Sequence, residues 1–118
     1  MANEERRILA ARRVWEGRRR SCDYFPEEMF SDAPMSMLLA TYIMQSKQQS
    51  LTASRLIEHC HISPAVGQRW LNYLEQQGLV LLDGGEESSP VKLTLGAADR
   101  LRRYLDEVVE LSEGRIQV

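Results

Sequence analysis

The stretch 63–80 constrains this chain most, because one apolar period stops there at a glycine and a different one begins. Ser63-Pro64 is a capping residue followed by a proline, placed where its missing N–H has no helical partner to lose. Val66, Trp70, Leu71 and Leu74 then recur at helical spacing, which predicts a helix over 63–77 that buries one side only. Gly78 supplies the left-handed residue that ends such a helix. Directly after it, Leu79-Val80-Leu81-Leu82 is a short strand-like run, and residues 91–95 alternate apolar and polar side chains. The turn-rich segment 83–90 between them predicts a β-hairpin with an extended loop.

Upstream of this helix the pattern is helical throughout. Thr52 is a helix cap, with Leu56, Ile57 and Cys60 forming the inward face of a short helix. Asp32-Ala33-Pro34 opens another that runs through Met37, Leu38, Leu39, Tyr42 and Ile43 to about residue 45. That helix is apolar on most sides and is expected to be the central buried one. Residues 4–20 form a basic helix with a narrow stripe of Ile8, Ala11 and Trp15, followed by an aromatic connector with a short helix after Pro26. Residues 97–112 close the chain with Leu101, Tyr104, Leu105, Val108 and Leu111 on one face.

The order is four helices, a hairpin and a helix, which makes the fold class mainly α with a small β-hairpin (α+β). Two short helices joined by a tight turn and followed by a hairpin define a winged helix-turn-helix, here flanked by N- and C-terminal helices. Three parts follow: 1–30, a basic helix and connector for dimerisation or for a DNA arm; 31–96, the winged helix-turn-helix; and 97–118, a C-terminal helix for dimerisation. A chain of 118 residues with 43% hydrophobic and 27% charged residues suits one globular core. No apolar run has membrane-spanning length, and the N-terminus lacks the order of a signal peptide, so the expectation is a cytoplasmic protein without membrane contact. In that reducing setting Cys22 and Cys60 are expected to stay thiols.

Net charge is −2, but it is unevenly divided. Residues 1–20 carry seven arginines against three glutamates, net +4, whereas residues 83–113 carry eight acids against four bases, net −4. A basic patch on one part of the molecule fits this asymmetry, as does a pair of ordinary solvated helix faces. His59-Cys60-His61 falls short of the three or four ligands that a zinc site needs at defined spacing, so no metal or other cofactor is expected. No serine–histidine–acid set, phosphate-binding glycine loop or carboxylate pair can be assembled, which argues against an enzyme.

Over residues 37–105 the chain resembles the MarR-type winged helix transcriptional regulators of bacteria. The resemblance is carried by Leu51-Thr52-Ala53-Ser54-Arg55-Leu56, by Val91-Lys92-Leu93-Thr94-Leu95-Gly96, and most specifically by Arg69-x-x-x-x-Leu74-Glu75-x-x-Gly78-Leu79-Val80. It implies a regulator of double-stranded DNA, a repressor by expectation, whose helix 63–77 enters the major groove and places Ser63, Ala65, Val66, Gln68 and Arg69 near the bases. Gln68 has the donor–acceptor pair that suits adenine, and Arg69 the fork that suits guanine or phosphate. Thr52 and Asn72 are implied as phosphate contacts, and Lys92 as a backbone contact from the wing.

The same resemblance implies a homodimer through the terminal helices, which the stripes of Ile8, Ala11 and Trp15 and of Leu101, Leu105 and Val108 would form. The alternative is that both stripes close the chain's own core. A small-molecule effector would sit between the core and the terminal helices, near Trp15, Tyr24 or Phe25. Other positions admit plainer readings: Arg69 pairing with Glu75, and Gly67 serving close packing of two helices. The loop that joins the hairpin strands holds Asp83, Glu86 and Glu87 and no base, where the family commonly has arginines. Arg18, Arg19 and Arg20 are the expected compensation, as a DNA arm. An acidic wing also supports the competing function, a winged helix module for protein–protein contact without strong DNA binding.

Overall fold

The computed structural model describes residues 2–21, 33–82 and 90–112. The expected short helix after Pro26, the Asp32 cap, Cys22, Tyr24, Phe25 and the acids Asp83, Glu86 and Glu87 all lie outside the described residues.

Among the described residues there are five helices and three strands: α1 (Ala2–Ser21), α2 (Ala33–Ser46), β1 (Leu51–Thr52), α3 (Ala53–His59), α4 (Pro64–Gln76), β2 (Val80–Leu82), β3 (Pro90–Leu93) and α5 (Leu95–Ser112). The element order matches the sequence expectation apart from β1. Two residues are too few to show a period, so β1 is invisible to pattern reading. It pairs antiparallel with β3, Leu51 opposite Val91 and Thr52 opposite Pro90, and turns the expected hairpin into a sheet of order β1-β3-β2.

α2 is the central helix: Met37 through Ile43 are all buried. Its one buried polar side chain, Thr41, donates from Oγ1 to the Met37 carbonyl (2.8 Å), so the hydroxyl enters the core satisfied. α1 and α5 pack beside it, α1 through Ala10 and Ala11, whose small side chains let the helix axes approach closely. Leu56, Leu71, Leu74, Val80, Val91 and Leu105 complete the fully buried set.

The helix ends are set locally. Thr52 Oγ1 accepts from the Arg55 N–H (3.3 Å) and caps α3 as expected. Ser63 occupies the cap position of α4 with extended backbone, but its hydroxyl makes no capping bond, so Pro64 and the Ser63 carbonyl, which accepts from the Gly67 N–H (2.8 Å), define that start. At the other end Gly78 adopts φ +72°, its N–H reaching Glu75 O (3.0 Å) and the Leu79 N–H reaching Leu74 O (2.9 Å). This double closure is the Schellman arrangement and reverses the chain into β2. α5 begins two residues before the expected Ala97, because Thr94 Oγ1 accepts the Ala97 N–H (3.1 Å) and starts the helix at its own position.

Candidate nucleic-acid interface

α4 has an inner and an outer side. Gly67, Leu71 and Leu74 are buried, whereas Ala65, Arg69, Asn72 and Gln76 point outward on the opposite arc of the 3.6-residue period. Gly67 explains how closely α4 seats on α3. A Cβ at this position would lie 2.6 Å from both Cγ1 and Cγ2 of Ile57, so only glycine fits without displacing a β-branched neighbour. The sequence expectation of tight packing there therefore has a named partner.

The structure separates the expected contact residues into two groups. Ser63, Ala65, Val66, Arg69 and Asn72 are exposed along α4. Arg69 forms no ion pair among the described residues, so the plainer pairing with Glu75 is not formed. Gln68 is half-buried and donates from Nε2 to Asn72 Oδ1 (3.1 Å). The two amides thus act as one unit: Asn72 keeps its NH2 for an outside acceptor, and Gln68 keeps its carbonyl and one N–H.

Thr52 and Lys92 belong to the sheet. Pro90 and Lys92 lie on one face of β3, and Thr52, opposite Pro90, shares that face, while Val91 and Leu93 point to the core. β1 therefore joins the cap of α3 to the wing, placing Thr52 and Lys92 on one outer surface. Lys92 stands opposite Leu81, which is 57% exposed. Two further hydrogen bonds fix the wing base. The Leu93 N–H donates to Gln45 Oε1 (2.6 Å), and Thr94 Oγ1 donates to Gly78 O (2.8 Å), locking β3 to α2 and to the end of α4.

Pattern reading missed Tyr73. It is 47% exposed, and Trp70 meets it edge-on with ring centroids 5.7 Å apart at 88°. Trp70 is itself only partly buried, so its side chain braces the phenol beside Arg69 on the next turn. An aromatic pair at i, i+3 was the available signal.

The terminal stripes divide between residues buried in the chain and residues only partly covered. Ala11, Leu101 and Leu105 are 0%, 5% and 0% exposed within the single chain, so they wall its own core and offer no surface to a second copy. Ile8, Trp15 and Val108 are partly buried against the same core. The reason is α2, whose apolar surface on several sides needs both terminal helices to cover it. Arg7 fastens the two, donating from Nε and Nη2 to Asp106 (2.6 and 3.0 Å). Trp15 lies parallel to His59 at 4.8 Å, and Cys60 beside it is pushed up to about 11 by burial, against an opposing hydrogen bond from Trp15. A thiol so disfavoured as thiolate is a poor nucleophile at neutral pH. The side chains of Arg18, Arg19 and Arg20 lie outside what the structure describes.

The chain is similar in structure to MepR, a transcription regulator of the Staphylococcus aureus multidrug efflux pump MepA, with a TM-score of 0.54. The match covers 90% of this chain and 81% of that one at 16% identity, a level at which the likeness is one of fold. The fold shared with it is the winged helix, mostly helical with a small antiparallel sheet. In the terms of that winged helix, α3 and α4 are the helix-turn-helix and β2–β3 the wing. No family model matches the chain, and a search of curated proteins finds no match. No described helix is long and apolar enough to cross a membrane.

Proposed function

We propose that this chain is a sequence-specific regulator of transcription in bacteria, acting as a cytoplasmic repressor that binds double-stranded DNA with α4 in the major groove. The observation that carries this reading is the outer face of α4, where Arg69 has no ion-pair partner among the described residues and Asn72 keeps its amide N–H groups for an outside acceptor. A helix braced on one side and polar on the other fits the width of the major groove. Arg69 reads guanine or phosphate, the Gln68–Asn72 unit presents amide groups together, and Thr52 and Lys92 hold backbone from the sheet face. The protein acts as a homodimer on half-sites roughly 34–36 Å apart. With Ala11, Leu101 and Leu105 inside the chain, its dimer surface draws on the exposed remainder of α1 and α5. A small-molecule effector that binds near Trp15 completes the regulator.

Selection of bound duplexes from random DNA at two salt concentrations tests this directly. A palindromic motif with affinity falling steeply as salt rises is the expected result. Recovery of no motif, with no salt-dependent binding, rejects the reading and favours the protein-interaction module to which the net charge of −2 also points.

A further inference from the structure

Tyr73 is an exposed aromatic of α4 whose place on the helix is specific. At roughly 100° per residue, Ala65, Arg69 and Gln76 hold the middle of the exposed arc of α4. Glu75 lies at one margin of that arc and Tyr73 at the other, about 40° beyond Arg69. Tyr73 is 47% exposed, and its hydroxyl makes no hydrogen bond among the described residues. Its ring is nonetheless held. Trp70, partly buried against the core, meets it edge-on with centroids 5.7 Å apart at 88°. A side chain fixed in this way has little freedom left to lose when it binds.

A helix with its side chains is about 10–12 Å across, and the major groove is about 12 Å wide. A helix lying in the groove therefore meets base edges with the middle of its exposed arc and the phosphate walls with its margins. Arg69, near the middle, is placed for bases; Tyr73, at the margin, is placed for the backbone. Glu75 makes the opposite margin unsuited to close approach of a phosphate, because like charges repel. We propose that the Tyr73 hydroxyl donates to a DNA phosphate at the wall of the groove, with Trp70 as the positioning residue that holds the ring at that reach. A contact of this kind fixes the register of α4 without reading sequence. It adds affinity without releasing counterions, since a neutral hydroxyl neutralises no phosphate. The inference rests on the DNA-binding reading given above.

The test is an anisotropy titration of the full chain on a mixed-sequence duplex at several salt concentrations, with duplex selection repeated for each variant. Tyr73→Phe removes only the hydroxyl. It should leave melting unchanged and raise Kd about 10-fold, as expected for a lost hydrogen bond to a charged group, with salt slope and selected motif unaltered. Single methylphosphonate replacements in the duplex should find a position where the wild type loses affinity and Tyr73→Phe does not. Trp70→Phe keeps a ring edge beside the phenol and should bind like the wild type, whereas Trp70→Leu should weaken binding but add nothing to Tyr73→Phe. A wild-type Kd in Tyr73→Phe overturns the proposal, whether or not Trp70→Leu folds. So does a loss that changes the selected motif, which makes Tyr73 a base-reading residue. A Trp70→Leu loss that persists in full on Tyr73→Phe overturns the brace. Absence of any duplex binding by the wild type removes the DNA reading as well, whereas salt-dependent wild-type binding untouched by Tyr73→Phe removes this inference alone.

Discussion

At the α1–α2–α5 end of the molecule, polar side chains answer one another. Arg7 bridges to Asp106, and Glu4 accepts from Arg7 (3.3 Å) and from the Tyr42 hydroxyl (3.0 Å), while Ser46 Oγ turns back to the Tyr42 carbonyl (2.9 Å). On α4 the balance is reversed. Arg69 has no partner among the described residues, and Tyr73 stands exposed with its ring held by Trp70. Both regions are helical and carry charge, so composition alone does not tell them apart. The difference lies in where the charges are directed: inward, they orient helices on each other; outward and unpaired, they are available to an external ligand.

The largest effect should come from the end where everything points inward. Leu105→Ala removes a side chain with 0% exposure and should cost about 2–5 kcal/mol in denaturant melts. That loss should be the same at every protein concentration; a loss that vanishes on dilution would return Leu105 to a dimer interface and break the comparison. Arg69→Ala should do the opposite, leaving stability within about 0.5 kcal/mol while weakening duplex binding by about 1–3 kcal/mol. Equal binding by the two proteins in an anisotropy titration would mean that the unpaired guanidinium has no DNA partner either.

Gly67→Ala probes the boundary between the two regions. The added methyl collides with Ile57, a cost of about 1–3 kcal/mol that the better helix propensity of alanine offsets by about 1. Melting of Gly67→Ala with Ile57→Ala should show a smaller loss than the sum of the single changes, since the second substitution removes the colliding atoms. Strict additivity would mean that the contact is not the reason for the glycine.

The smallest effects are those of pH at the paired end. The Arg7 guanidinium holds the Asp106 carboxyl below the usual aspartate range. A depressed acid stabilises the fold above its ordinary pKa of about 3.9, and that contribution disappears as pH falls through the folded value. Both partners touch water, so Asp106→Asn should cost under about 1 kcal/mol at neutral pH and nothing once the carboxyl is protonated. Tyr42 is pushed up to about 12, first by burial and then by its bond to Glu4. Its contribution is complete below the ordinary phenol value and is lost as pH rises through about 12, which a spectrophotometric titration of Tyr42→Phe against wild type will show as one missing late-titrating phenol.

Much of the architecture was legible because it depends on local signals. The cap and proline at Ser63-Pro64, the cap at Thr52 and the terminal glycine each act within a few residues, and the switch of period after Gly78 marks the wing without knowledge of any neighbour. The site was legible in outline for the same reason, since helical periodicity alone turns Arg69 and Asn72 away from Leu71 and Leu74. It was not legible that Gln68 and Asn72 share a hydrogen bond or that Trp70 supports Tyr73, because rotamers depend on what surrounds the helix.

The sequence by itself determined the helix opened at Ser63-Pro64 and closed at Gly78, its one-sided burial, and the hairpin that follows, since backbone preference and periodicity are properties of neighbouring residues. Only the tertiary structure decided the rest. β1 exists because β3 passes beside it, and Gly67 is required because Ile57 lies against it. Ala11, Leu101 and Leu105 face inward because α2 presents apolar surface on several sides. Each of these depends on a partner distant in the chain, and an apolar stripe carries no mark of whether its own molecule or another will cover it.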